Sequence, residues 1–279
     1  FRRVLFRSRP RDLVLFGVMA CALSWLDWGL IIASDSGWVP FRFGPNWWGS
    51  FGPALAALLV TARRGGVPRL RALLRSGVAW RFARRHWLVA LLGPPALVAL
   101  SAALFVASGG ALRDAPPVDV AELVVLSVAI LVIGGPLGEE VGWRGYLLRQ
   151  LLPRMHAIAA SLVVAGVWAI WHLPLIWMPG AVQAGGSFLL FSGYVAAFSI
   201  LTTWLFIASG GSLLAAIVFH WAINVATYVG PMIQPALEER RFELIFLAVV
   251  WVAALGAIKA MAHGPTPLAR EGVQARSGR

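Results

Sequence analysis

"GGPLGEEVGWRGYLL", Gly134–Leu148, follows directly on an apolar run and sets two glutamates side by side, with an arginine four residues after the second. Two foldings are open to it. If a helix over Val120–Leu137 ends at the membrane surface, Glu139 and Glu140 sit in the headgroup region at a new helix N-terminus, where the macrodipole favours carboxylates. If Gly134-Gly135-Pro136 is instead a break inside the bilayer, the helix resumes over Leu137–Leu152 and the carboxylates are embedded. Depth separates the two. At 1.5 Å per residue, embedding places Glu139 roughly 20 Å above the Leu152-Pro153 turn, level with His172 counted up from His156. The surface folding would leave them some 20 Å apart by the same rise. Only the embedded helix lets the carboxylates meet the histidines, and it is the folding expected here.

Working outward, the chain has 279 residues, 59% of them hydrophobic and 13% charged. Soluble domains carry about 25% charged residues, so an all-α polytopic membrane protein is expected. Eight segments approach the roughly 20 apolar residues that a spanning helix needs: Leu13–Ser34, Phe41–Ala62, Trp87–Ser108, Val120–Leu137, Ala157–Met178, Phe188–Ser209, Leu213–Val229 and Glu243–Ala262. The second and seventh are the least apolar. No internal repeat is evident, so residues 9–262 read as one transmembrane domain, with 263–279 as a cytoplasmic tail. The first eight residues, "FRRVLFRS", match a translated sequencing-adapter oligonucleotide and are set aside as a non-native leader. The lone Cys21 rules out an intramolecular disulfide or a CxxC site.

The net charge of +12 does not point to nucleic acid, because the arginines lie between apolar runs with no interleaved aromatics. It points to topology. With the leader left out, alternate connections and the termini hold seventeen Lys and Arg, eight of them between Arg63 and Arg85. The opposite set holds four: Arg42, Arg113, Arg240 and Arg241. The positive-inside rule then places both termini in the cytoplasm.

Ionisable residues within spans are functional candidates by default. Glu140 and Arg144, at i and i+4, share a helix face and can pair; Glu139 lies about 100° further round and is left for another partner. His172 sits in "WAIWHLP", where Pro174 cannot donate to the Ile170 carbonyl and loosens the helix. Trp168 shares its face. His220 and Asn224 are again at i and i+4. Each has a structural alternative: a satisfied core histidine, or an interhelical hydrogen-bonding pair. Asp27, between Trp25 and Trp28, either pairs with a buried donor or lines a cavity. Together, a carboxylate, two imidazoles and a carboxamide can activate water by general base catalysis and hold an oxyanion. Glu139, His172 and His220 can equally form a two-His, one-carboxylate zinc set with an open position. HExxH is absent, as is a Ser or Cys nucleophile in a suitable setting.

Glu139-Glu140-Val141-Gly142-Trp143-Arg144, Trp168-Ala169-Ile170-Trp171-His172 and His220-Trp221-Ala222-Ile223-Asn224, in this order on three hydrophobic segments, resemble the CPBP family. These are the CAAX-protease and bacteriocin-processing intramembrane proteases (also called the Abi family), which include the type II prenyl endopeptidases. The resemblance covers about residues 120–230, with Trp168 where the family usually has phenylalanine. It implies an eight-helix bundle that hydrolyses peptide bonds in a cavity open toward the cytosol. Carried over, Glu139 and His172 activate the water, His220 and Asn224 hold the oxyanion, and Glu140 and Arg144 orient the site. Both zinc and glutamic mechanisms are described for the family; Asn224 beside His220 favours the glutamic one.

With 23 Arg against one Lys, the chain reads as bacterial, in a plasma membrane. The expected substrate is a membrane-associated peptide or protein, such as a leader peptide or anchored regulator, rather than a prenylated protein. A non-catalytic scaffold or immunity protein of the same fold is the first rival. A proton- or cation-coupled transporter is the second, but it would favour broken helices in both halves.

Overall fold

An apolar chain can cross a bilayer only if its backbone groups bond within the chain, and the described residues meet that requirement with helices and no strand. The computed structural model describes residues 8–41, 48–77, 80–114, 119–233 and 239–263. Most of the leader (1–7) and nearly all of the tail (264–279) lie outside them.

The helices are α1 Pro10–Asp35, α2 Gly52–Ser76, α3 Arg84–Ala107, α4 Val120–Val132, α5 Pro136–Glu140, α6 Arg149–Leu151, α7 Ala157–Trp171, α8 Phe188–Ala208, α9 Leu213–Ile233 and α10 Arg240–His263. α1 packs on α2, α3 on α9, α7 on α8, and α10 lies against α8 and α3. Val14, Val125, Leu189 and Val252 are each more than 60% exposed, as side chains that face lipid are. Ser161 on α7 and Ser199 and Thr203 on α8 tie two helices by hydrogen bonds of 2.9–3.4 Å, the polar contact that membrane helices use where lipid gives no apolar driving force.

All eight expected segments carry helix, and among the described residues six helical stretches are long and apolar enough to cross a membrane. The second and fifth are the exceptions. α2 begins at Gly52, residues 42–47 of the expected segment lying outside the described ones; it kinks at Gly66 (φ +60°), two residues before Pro68, and runs on through the arginines to Ser76. α7 stops at Trp171 after 15 residues because Pro174 removes a donor. A 3₁₀ turn, Leu173–Ile176, takes the place of the helix expected to reach Met178.

The decisive stretch breaks and resumes. α4 ends at Val132, Gly135 takes φ +114°, a value that suits glycine, and α5 starts at Pro136, where a missing N–H costs nothing. Val141–Leu148 then continues as a π-helix, a form that concentrates at functional sites.

Candidate active site

α5 carries both carboxylates at its last two residues and sets them among aromatic rings. Glu139 is 4% exposed and Glu140 and Arg144 are fully buried, so each needs a partner. Glu140 Oε1 accepts from Arg144 Nη1 at 2.7 Å and from His220 Nδ1 at 2.9 Å. Glu139 Oε2 accepts from the indole N–H of Trp168 at 2.5 Å and from that of Trp143 at 3.4 Å. Trp168 also lies under Arg144, whose guanidinium carbon is 4.8 Å from the ring centre. One indole therefore joins the two glutamates' surroundings.

His172 caps α7, and its Nδ1 is 2.9 Å from the Trp168 carbonyl. A carbonyl oxygen only accepts, so this bond puts the proton on Nδ1 and leaves the Nε2 lone pair available. The ring is clamped edge-on by Trp171 (4.6 Å between centroids) and Phe191 (4.9 Å). In the same way, the Glu140 carboxylate fixes a proton on His220 Nδ1 and leaves Nε2 to face elsewhere. Asn224 Nδ2 donates to the Gly134 carbonyl at 3.2 Å, tying α9 to the helix break.

A cavity of about 920 Å³ unites these groups; Glu139, Trp168, His172, His220 and Asn224 all line it. Glu140 and Arg144 stand behind its wall. Among the described residues, no three His, Cys, Asp or Glu side chains are grouped so as to hold a metal ion, so Glu139, His172 and His220 share a cavity without forming a metal shell.

Three features of the site escaped the sequence. The first is the Glu140–His220 bond, which couples a residue read as Arg144's partner to the second imidazole. The second is Trp143, which stands at i+4 from Glu139 just as Arg144 does from Glu140; the same spacing rule finds it. The third is the bed beneath the carboxylates. A Cβ on Gly138 would lie 2.3 Å from the Ser50 carbonyl, and one on Gly142 would lie 2.5 Å from Pro53 Cβ. Gly138-Glu139-Glu140-Val141-Gly142 is thus a GxxxG seam, a legible signal for close helix approach. The opposing Gly49–Pro53 segment is held from α1. Asp27 accepts the Gly49 N–H at 2.9 Å, Ser24 donates to the Gly49 carbonyl at 2.6 Å, and Trp171 donates to Ser24 at 2.6 Å. Asp27 is therefore the partner of a backbone donor and is absent from the cavity lining.

These elements define an all-α integral membrane protein with a carboxylate–imidazole site in a buried cavity. Residues 121–226 match the family described as type II CAAX prenyl endopeptidase Rce1-like, and over this stretch the chain is similar to the CAAX proteases. A relative from Methanococcus maripaludis, CAAX prenyl protease 2, is 31% identical over 107 residues, covering 35% of this chain. The match spans 38% of that relative's length.

Proposed function

We propose that the chain is an intramembrane endopeptidase that hydrolyses a peptide bond of a membrane-associated polypeptide with a water activated by Glu139 and His172. The observation that supports this most is the convergence of Glu139, His172, His220 and Asn224 on one largely apolar cavity. In the proposed reaction, the water oxygen bonds to the scissile carbonyl carbon while its proton passes to Glu139, oriented by the two indole N–H groups. His172 Nε2 accepts the water's second hydrogen and holds the lone pair on line. The oxyanion takes hydrogen bonds from Asn224 Nδ2 and from His220 Nε2 when that ring is doubly protonated, with Glu140 as its counter-charge. The C–N bond then breaks and the leaving amine recovers the proton from Glu139. General base catalysis of this kind contributes about 10²–10⁴-fold, and oxyanion donors act most strongly in a dry site.

The membrane is proposed to be a bacterial plasma membrane, with both termini cytoplasmic. The test compares new peptide termini in membranes carrying the wild type or Glu139→Gln, which keeps the volume and removes the base. Termini that vanish in the variant support the reading; identical profiles at equal levels of folded protein refute it in favour of a scaffold. On the substrate so identified, cleavage is expected to survive treatment with a zinc chelator. Loss of cleavage that added zinc restores would replace the glutamic mechanism with a metal one.

A further inference from the structure

Trp171 is buried and ends α7 one residue before His172. Its ring stands edge-on to three others: His172 at 4.6 Å between centroids, Trp143 at 5.9 Å and Trp28 at 4.7 Å. Trp143 is in turn a donor to Glu139. One side chain therefore packs against His172 and against a ring that holds Glu139, the two groups proposed to activate the water. Edge-to-face contacts depend on how the rings are turned, and α1 fixes the turn of this one. Trp171 Nε1 donates to Ser24 Oγ at 2.6 Å, and Trp25 Nε1 donates to the Trp171 carbonyl at 2.8 Å. The residue is thus held both at its indole and at its backbone.

Ser24 is fully buried and also donates to the Gly49 carbonyl at 2.6 Å. A hydroxyl has one proton to give and two lone pairs to receive, so it serves both neighbours at once. Gly49 opens the turn Gly49–Phe51, which lies beneath the carboxylates and touches both sides of the helix break. Its Ser50 carbonyl is where a Cβ on Gly138 would collide, and Ser50 Oγ donates to the Ile133 carbonyl at 2.9 Å. The Trp171 N–H, the Ser24 hydroxyl and the Gly49 carbonyl form a relay from the His172 end of α7 to the bed under Glu139. Ser24 and Trp25 are absent from the cavity lining, and both precede the matched stretch 121–226.

We propose that Ser24 and Trp171 are positioning residues of the active site: through the Ser24 hydroxyl, α1 sets how Glu139 and His172 stand to one another across the cavity. This rests on the endopeptidase reading above and adds to it a helix that the three sequence motifs do not reach. Without the hydroxyl, the indole N–H and the Gly49 carbonyl lose a partner in a buried place, where such a loss is expensive, and the indole is released to turn against His172. Ser24 lies behind the cavity wall, so the loss falls on kcat rather than on KM. Misplacement by about 1 Å costs on the order of 10²-fold.

The experiment uses the full chain in proteoliposomes and the substrate defined by its Glu139-dependent termini, with rates normalised to folded protein. Ser24→Ala and Trp171→Phe, which keeps an aromatic ring, are measured singly and together, each with its melting temperature. Each single variant is expected to lower kcat at least about tenfold and to leave KM within about twofold. The double variant is expected to be no slower than Ser24→Ala, because both changes remove the same bond. Ser161→Ala removes another fully buried hydroxyl, one that joins α7 to α8 away from the cavity; it should lower the melting temperature and leave kcat unchanged. Unchanged kcat in Ser24→Ala, losses that multiply in the double variant, or an equal loss of kcat in Ser161→Ala would each overturn the proposal. Should Ser24→Ala fail to fold, Trp171→Phe and Trp25→Phe carry the test, and unchanged kcat in both overturns it. A wild type without Glu139-dependent cleavage would instead sink the endopeptidase reading. The link would then be judged on melting temperatures alone, where additive losses in the double variant overturn it.

Discussion

Replacing Trp168 with phenylalanine isolates what this chain gains from its departure at that position. Phenylalanine keeps an aromatic ring beneath Arg144 but has no N–H, so Glu139 loses its 2.5 Å donor and retains only Trp143 at 3.4 Å, a distance at which a hydrogen bond is weak. Hydrogen bonds to charged groups contribute about 1.5–3 kcal/mol. If that energy holds Glu139 in the geometry that receives the water's proton, kcat falls by roughly 10- to 150-fold at one decade per 1.36 kcal/mol. KM should change little, because the indole edge is turned to the carboxylate rather than to a bound chain. The assay is single-turnover cleavage of the substrate defined by the Glu139-dependent termini, normalised to folded protein. Trp143→Phe, which removes the longer bond, is the internal comparison and should cost less. An unchanged kcat in Trp168→Phe would refute the idea that the indole positions Glu139.

Two further substitutions probe the supports of the site. Arg144→Met leaves Glu140 buried with His220 as its remaining partner; breaking a buried pair costs about 3–5 kcal/mol, so the melting temperature in detergent should drop sharply, and an unchanged value would deny the pair a structural role. Gly138→Ala forces a methyl against the Ser50 carbonyl and, at about 1–3 kcal/mol for overpacking, should lower both stability and cleavage. Gly166→Ala, whose Cβ meets nothing within 4 Å, should be neutral by the same thermal scan.

Periodicity and hydropathy were enough to read the class and the break at Gly134–Pro136, because each follows from local backbone chemistry; Pro174 was read as loosening a helix that in fact ends at Trp171. The positions of α2 and of the carboxylate bed were not legible in the same way. The start of α2 depends on Asp27 and Ser24 gripping Gly49 from another helix, a contact that no spacing along the chain records. His220 illustrates the same limit. Its spacing put it on one face with Asn224, but not opposite any partner; its Nδ1 turns to Glu140, eighty residues away, and Asn224 serves the broken backbone at Gly134. Local rules find who shares a face; only packing decides who faces whom. The site residues nevertheless surfaced early, since a charge among apolar side chains stands out without any knowledge of its partners.

The cavity's confinement to one half of the bundle bears on how a cell could tolerate such a protein. Hydrolysis needs water deep in the hydrocarbon layer, and a continuous wet path would short-circuit the ion gradients that energise the membrane. Here the lining stops at Glu139 and Trp168. Beyond them the way is filled by Trp143, Arg144, Leu148 and Phe16, each fully buried. This packed floor separates the cavity from the other half of the bundle and favours electrical insulation.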